Sequence, residues 1–450
     1  MKPHIFREYD IRAVVDKELT LDEVVTLGRA MGTYLGRQGK KRITLGRDGR
    51  LTSGAFREHL LKGLLATGAQ VIDIGVCPTP LLYFSIRQLQ ADGGIMITAS
   101  HNPPEYNGFK ICSGPDTIFG ADIQKIAHLA ETGDFLSGRG TIQEDDVLPA
   151  YQDFVSKDIH LGGPLRVGLD GGNGTGGWLA LPIIRKLGCR VFDLYCEVDG
   201  SFPHHEPDPT VPDNVKELVD LVLRERLDVG LAYDGDGDRL GVIDHLGNII
   251  WGDQLLILFA RDILQRRPGS IFLGEVKCSQ TFYEDIPSRG GQAIMWKTGH
   301  SLIKKKMKEV QAVLAGEMSG HIFFADRYFG FDDAVYASLR LLEILSNTGK
   351  KIPDLLSGIP KTYSTPEIRV ETSEENKFQL VEEVKNELAR NHPIIDVDGV
   401  RVLYDDGWGL IRASNTQPVL VLRFEAQSPE RLEAIKDEME GILRRSQKKF

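Results

Sequence analysis

Residues 229–239 read VGLAYDGDGDR, a short apolar run that breaks into an acidic loop spaced by glycine. An unbroken apolar run of this length before a turn reads as a strand buried on both faces. The same grammar recurs at 94–103, GIMITASHNP, and at 312–321, AVLAGEMSGH. Two further apolar runs precede each of these, with helical stretches between them. They are RITLG (42–46) and GAQVIDIG (68–75), then LRVGL (165–169) and GCRVFDLY (188–195), then SIFLG (270–274) and GGQAIMWK (290–297). Strands alternating with helices predict three similar α/β/α domains with mixed, largely parallel sheets. In open α/β sheets, ligands bind beyond the carboxyl ends of the strands. Three polar loops at matched positions therefore predict three domains around one central cleft. From Thr365 onward the pattern changes. Pro366–Glu371 and Val419–Ala426 read as strands, and 375–390 and 429–444 as helices, giving a small α+β unit with an antiparallel sheet. The expected division is 1–148, 149–250, 251–363 and 364–450.

The 450 residues carry 54 Lys and Arg against 64 Asp and Glu, a net charge of −10. That argues against nucleic acid or an anionic membrane as partner. Five cysteines, at 77, 112, 189, 196 and 278, contain no C-x-x-C pair and suit reduced thiols in the cytoplasm. The opening MKPHIFREYDIR has no apolar signal core, and the run Leu255–Ala260 is far too short to span a bilayer. Secreted, membrane-spanning, collagenous and disordered classes are excluded.

The strongest chemical signal is Asp234-Gly-Asp236-Gly-Asp238-Arg239. In an extended segment, alternate residues share a face, so three carboxylates converge and need a cation. Hard oxygen ligands favour Mg²⁺ or Ca²⁺, and the spacing fails an EF-hand; Mg²⁺ suits a site that keeps positions open for phosphate oxygens. TASHNP offers a hydroxyl, Ser100. Sequence neighbours seldom face each other, so a triad from Ser100 and His101 is not expected, and a phosphoryl-carrying serine fits the metal loop better. In GEMSGH, Glu317 and Ser319 could grip adjacent sugar hydroxyls, and His321 could move a proton. Arg412, Ser414, Asn415 and Thr416 in RASNTQP, with Arg423 on the next strand, have the donors a phosphate needs without metal. Arg7, Arg12, Arg47, Arg50, Lys110, Lys277 and Lys297 lie at Gly-rich turns, which suits a small anion in a cleft. The run Lys304, Lys305, Lys306 and Lys308 reads as a solvated helix face, and His204 and His205 as loop packing. One feature points elsewhere. Gly172-x-Gly174-x-x-Gly177 after LRVGL, with Asp193 on the next strand, matches a dinucleotide fingerprint. It explains none of the other loops and is read as a tight turn for close domain approach.

In motif order over nearly the whole chain (YDIR, TASHNP, DGDGDR, GEMSGH, RASNTQP) the sequence resembles the phosphomannomutase/phosphoglucomutase group of the α-D-phosphohexomutase superfamily. The resemblance implies three α/β domains and a C-terminal domain like the TATA-binding-protein fold. It implies a mutase, an isomerase that interconverts hexose 1- and 6-phosphates of mannose or glucose through a phosphoserine and a hexose 1,6-bisphosphate, which also primes the enzyme. Ser100 would be the phosphoserine, with Asp234, Asp236 and Asp238 as Mg²⁺ ligands beside it. Glu317 and Ser319 would read sugar hydroxyls, and Arg412, Ser414, Asn415 and Thr416 would clamp the non-reacting phosphate. Tyr9, Arg12, Lys110, Arg239, Lys277, His300 and His321 would line the cleft, with His321 and Lys110, near Arg12, moving protons. Ala13 stands where the family usually has glycine after YDIR. A phosphoglucosamine mutase or a metal-dependent sugar phosphatase are the rival readings; the expected assembly is a monomer or small homo-oligomer.

Overall fold

The structure is a computed structural model that describes residues 1–373, 375–415 and 418–448. It comprises two compact units, Met1–Gly252 with Ser319–Leu355, and Asp253–Met318 with Leu356–Phe450. Among the described residues no helix is long and apolar enough to cross a membrane.

The first unit holds two mixed sheets. In one, Gly93–Ile97, Arg42–Arg47, Gln70–Val76 and Thr141–Glu144 run parallel, side by side in that order. Gly93–Ile97 is buried along its whole length, as its uninterrupted apolar run requires. Tyr106–Ser113 then returns antiparallel to it, pairing Met96 with Lys110, and Ile11–Val14 adds outside. Lys110, expected at a Gly-rich turn, therefore stands on a strand. In the other sheet, Val229–Tyr233, Arg166–Asp170 and Arg190–Leu194 are parallel, while Leu240–Asp244 and Ile249–Ile250 continue it antiparallel. The later segment of this unit is tied in by Asp333. It caps the helix Ala334–Thr348 through Tyr336 N at 2.8 Å and accepts from Tyr151 Oη at 2.9 Å.

In the second unit, Gln292–Trp296, Ile271–Glu275 and Leu314–Gly316 are parallel. The C-terminal sheet is antiparallel throughout, with Val400–Tyr404, Gly407–Ala413 and Val419–Ala426 at its centre. Side chains alternate across it. Val400, Val402, Ile411, Leu420, Leu422 and Phe424 pack under the helices Lys377–Leu388 and Pro429–Gln447. The intervening Arg401, Trp408, Leu410, Arg412, Arg423 and Glu425 are buried as well. Burying a charged second face requires partners for each charge, and those partners define the site in this unit.

Candidate active site

Ser100 sits in the loop after Gly93–Ile97 with φ +52°, a left-handed conformation that non-glycine residues rarely adopt. Its N–H donates to Thr98 Oγ1 at 2.8 Å, and its hydroxyl donates to Asp234 Oδ2 at 2.7 Å. The same hydroxyl lies 3.1 Å from His101 Nδ1. The two neighbours do meet, against expectation, because the left-handed turn swings the serine round toward the ring. Burial, with Arg239 and Arg12 close by, pushes His101 well below its ordinary pKa.

The acidic loop is a turn, not the extended segment expected. Asp234 Oδ1 accepts from the N–H groups of Asp238 and Arg239, both at 3.0 Å, and Gly237 at φ +72° reverses the chain. Convergence still results. Asp234, Asp236 and Asp238 are fully buried, with carboxylate oxygens within 4.8 Å of one another. Lys110 Nζ donates to Asp236 and Asp238 at 2.7 and 2.5 Å, and Thr79 Oγ1 donates to Asp236 at 2.5 Å. Burial, Asp238 and Asp236 push the Asp234 carboxyl well up. Burial would raise Asp236 too, but Lys110 holds it well below the usual range; burial would lower Lys110, and the two carboxylates hold it above its ordinary value. Asp236 Oδ1 and Asp238 Oδ1 are buried with no hydrogen-bond partner. Three carboxylates against one ammonium, with two buried oxygens unsatisfied, fit a divalent cation with hard oxygen ligands.

Backbone contact sets the gap between serine and carboxylates. A Cβ on Gly235 would lie 2.4 Å from Ser100 O, and one on Gly174 would lie 2.8 Å from Gly235 Cα. The Gly-rich turn thus packs on the metal loop, with Thr175 N donating to Gly235 O at 3.0 Å. A Cβ on Gly172 would meet Pro207 at 3.2 Å. Its glycines serve this stacking, which answers the dinucleotide fingerprint. His204 stacks on Tyr195 at 3.8 Å and His205 lies 3.2 Å from Asp170, the packing role expected for both.

Around this centre, Arg239 Nε donates to His321 Nε2 at 3.0 Å. Its Nδ1 then faces Asp332 at 3.1 Å and Asp238 at 3.6 Å. Arg12 donates to Asn102 Oδ1 and pairs with Asp10 at 2.6 Å, beside the half-buried Tyr9. Ser319, half-buried, opens the later segment of this unit. Arg50 departs from expectation. Its guanidinium is wholly buried and donates to loop carbonyls rather than awaiting an anion.

In the second unit, Lys277 follows Ile271–Glu275. Its Nζ pairs with Glu367 at 3.1 Å and its N–H donates to Glu275 at 2.9 Å. Glu275, fully buried, also accepts from Thr298 Oγ1 at 2.7 Å and Met318 N at 3.3 Å. Glu317 accepts from Gly299 N at 3.0 Å, at the start of the helix opened by the buried His300. Asp398 joins Thr298 N at 3.1 Å to Arg412 Nε at 2.9 Å. Ser414 is held by Lys377 Nζ on its carbonyl at 2.7 Å, and Asn415 follows; Thr416 lies outside the described residues. Arg423 is buried, 3.5 Å from Asp253, with Nε and Nη1 making no hydrogen bond. Arg401 donates to Val276 O and Cys278 O at 2.6 and 2.8 Å and stacks 3.7 Å over Trp408. Lys304 is buried and Lys306 lies 4.3 Å over Trp296, so the lysine run is not a uniformly solvated face.

Sequence reasoning missed Thr79, Asp332, Glu275, Glu367, Asp398 and the role of His101. Only tertiary contact reveals them.

Comparisons with known proteins show the family. Family models described as Phosphoglucomutase/phosphomannomutase match in series: alpha/beta/alpha domain I over residues 3–137, domain II over 149–247, domain III over 251–363, and the C-terminal domain over 367–442. A Phosphomannomutase/phosphoglucomutase of Pseudomonas aeruginosa is 48% identical over 96% of this chain and 94% of its own. A Phosphoglucomutase of Neisseria gonorrhoeae is 44% identical over 98% and 96%. The solved structure of a Phosphoglucomutase/phosphomannomutase family protein from Burkholderia thailandensis superposes with a TM-score of 0.94. It is 40% identical over 99% of this chain and 98% of its own. The chain belongs to the phosphoglucomutase/phosphomannomutase family and is a phosphohexomutase, an isomerase of phosphosugars.

Proposed function

We propose that the enzyme interconverts the 1- and 6-phosphates of mannose and glucose through phospho-Ser100 and a hexose 1,6-bisphosphate. The observation that carries this is the Ser100 hydroxyl held 2.7 Å from Asp234, inside a buried triple-aspartate loop. Ser100 gives its phosphoryl group to the free hydroxyl of the substrate. The bisphosphate formed then returns its other phosphoryl group to Ser100, and the same bisphosphate primes unphosphorylated enzyme. Mg²⁺ held by Asp234, Asp236, Asp238 and a phosphoryl oxygen on Ser100 would neutralise charge as the group moves. Arg239 and Lys110 add fixed positive charge, His101 takes the serine proton, and His321, with Arg12 nearby, serves the substrate's hydroxyl.

Glu317 and Ser319 read the sugar hydroxyls. Arg412, Ser414, Asn415 and Thr416, with Arg423, hold the phosphate that is not reacting, and Tyr9, Lys277 and His300 complete substrate binding. The divisions 1–148, 149–250, 251–363 and 364–450 would each supply one loop. The relatives named for mannose and glucose favour those sugars over glucosamine. Five buried, unbridged cysteines favour the reducing cytoplasm, for a monomer or small homo-oligomer.

The test is peptide mass spectrometry and a mutase assay on the wild type and Ser100→Ala, with mannose, glucose and glucosamine 1-phosphates and a bisphosphate primer. Phosphate on Ser100, lost with activity in the variant, is expected. Full activity in Ser100→Ala, or release of inorganic phosphate in place of isomer, overturns the reading.

A further inference from the structure

Arg50 has no part in the reaction just described, yet it is among the most committed side chains of the first unit. Its Nη1 donates to Pro103 O at 2.7 Å and Tyr106 O at 3.0 Å. Its Nη2 donates to Ser100 O at 2.8 Å and Asn102 O at 2.5 Å. The charge is balanced by Asp48, 3.2 Å from Nε, which also fixes the turn through Arg50 N at 3.0 Å and Ser53 Oγ at 2.6 Å. Phe202 caps the guanidinium at 5.2 Å.

A rigid planar fork of five donors can reach four carbonyls at once, whereas a lysine ammonium has only three donors on a single nitrogen. Two hydrogen bonds bracket Ser100. Thr98 Oγ1 accepts from its N–H, which restrains φ, and its carbonyl accepts from Arg50 Nη2, which restrains ψ. The residue so held is in a conformation that L-amino acids adopt only at a cost.

We infer that Arg50 is a positioning residue: it keeps Ser100 in the left-handed conformation from which the hydroxyl meets Asp234, and so governs phosphoryl transfer and not sugar binding. This rests on Ser100 being the nucleophile. Displacing a reacting atom by about 1 Å costs on the order of 100-fold in rate. A role limited to stability would lower the melting temperature and the active fraction, without slowing the phosphorylation of Ser100 in the molecules that remain folded.

The experiment uses full-length Arg50→Lys and Arg50→Met, with kcat and KM for hexose 1-phosphate. The rate at which bisphosphate phosphorylates Ser100 is followed by mass spectrometry on the folded fraction. We expect kcat to fall about 100-fold in both variants with KM changed by less than about threefold, and Ser100 to be phosphorylated correspondingly slowly. Lysine keeps the charge and should not rescue. A folded Arg50→Lys enzyme with near wild-type kcat, or a loss confined to KM, overturns the proposal. Should Arg50→Met fail to fold, Phe202→Leu provides the second arm, expected to lower kcat about fivefold at constant KM; an unchanged kcat there counts against the role. An active Ser100→Ala enzyme sinks the nucleophile reading and this role with it. An inactive Ser100→Ala beside an unimpaired Arg50→Lys sinks this role alone.

Discussion

The serine loop of the first unit and the Lys277 loop of the second are each organised by one buried arginine, and the two do it differently. Arg50 gathers four carbonyls around Ser100 and keeps a carboxylate, Asp48, as counter-ion. Arg401 gathers the carbonyls of Val276 and Cys278 and, among the described residues, makes no ion pair; the face of Trp408 takes the place of one. Trp408 Nε1 donates to Glu425 at 2.9 Å, and Glu425 in turn receives Ser279 Oγ at 2.9 Å. An ion-paired fork suits a loop whose rigidity must survive the arrival of phosphoryl charge. A cation stacked on an aromatic face, with neutral acceptors, ties a loop to the sheet behind it without drawing on the carboxylates its lysine needs. The lesson is that position is fixed in the first loop by charge and in the second by packing.

The comparison breaks hardest at the metal. Chelation should reduce mutase turnover about 10³-fold or more, since a bound cation supplies several kcal/mol of charge stabilisation. Hexose phosphate binding, which the proposed function assigns to residues of the second unit and calorimetry follows, should be much less affected. Equal loss of both would break the contrast. Next is Gly235→Ala, whose Cβ would lie 2.4 Å from Ser100 O. Turnover should drop about 100-fold with a stability loss of roughly 1–3 kcal/mol, read by kinetics and chemical denaturation.

A third test concerns the second unit alone. Lys277 holds the Glu367 carboxyl down to about 2, against 4.5 for an ordinary glutamate. The unfolded chain takes up that proton more readily than the folded one. The pair therefore stabilises above about pH 4.5, and that contribution disappears as the pH falls toward 2. Glu367→Gln should cost about 2 kcal/mol at pH 7, a margin that shrinks steadily on acidification in denaturant titrations. The mildest and most diagnostic change is Arg401→Met. It should raise KM about tenfold while kcat stays within about twofold, the reverse of the pattern expected at Arg50.

The sheets and the loops at their ends could be read in the sequence because buried strands need unbroken apolar runs and catalytic turns need glycine. Leu45, Ile95 and Leu231 are buried as their runs require. The aspartates were legible as a cluster, but their geometry was not. A turn closed by Asp234 Oδ1 and an extended strand share the same DGDGDR spelling. The positions of Arg50 and Arg401 were equally hidden, since a buried arginine and a surface one look alike until the carbonyls that receive them come into place. Lys304 errs in the opposite direction, a charge that reads as solvated yet is buried.

The stack of Gly174, Gly235 and the Ser100 carbonyl has one more consequence. A distance set by backbone resting on backbone has no rotamer to choose and no side chain to trim. It works as a gauge block, the same thickness in every copy of the enzyme, and any substitution at either glycine makes it thicker. Evolution can therefore adjust this corner only by breaking it. On the proposed assignment, a new sugar preference would arise in the Lys277 and Glu317 loops, where side chains still leave something to vary.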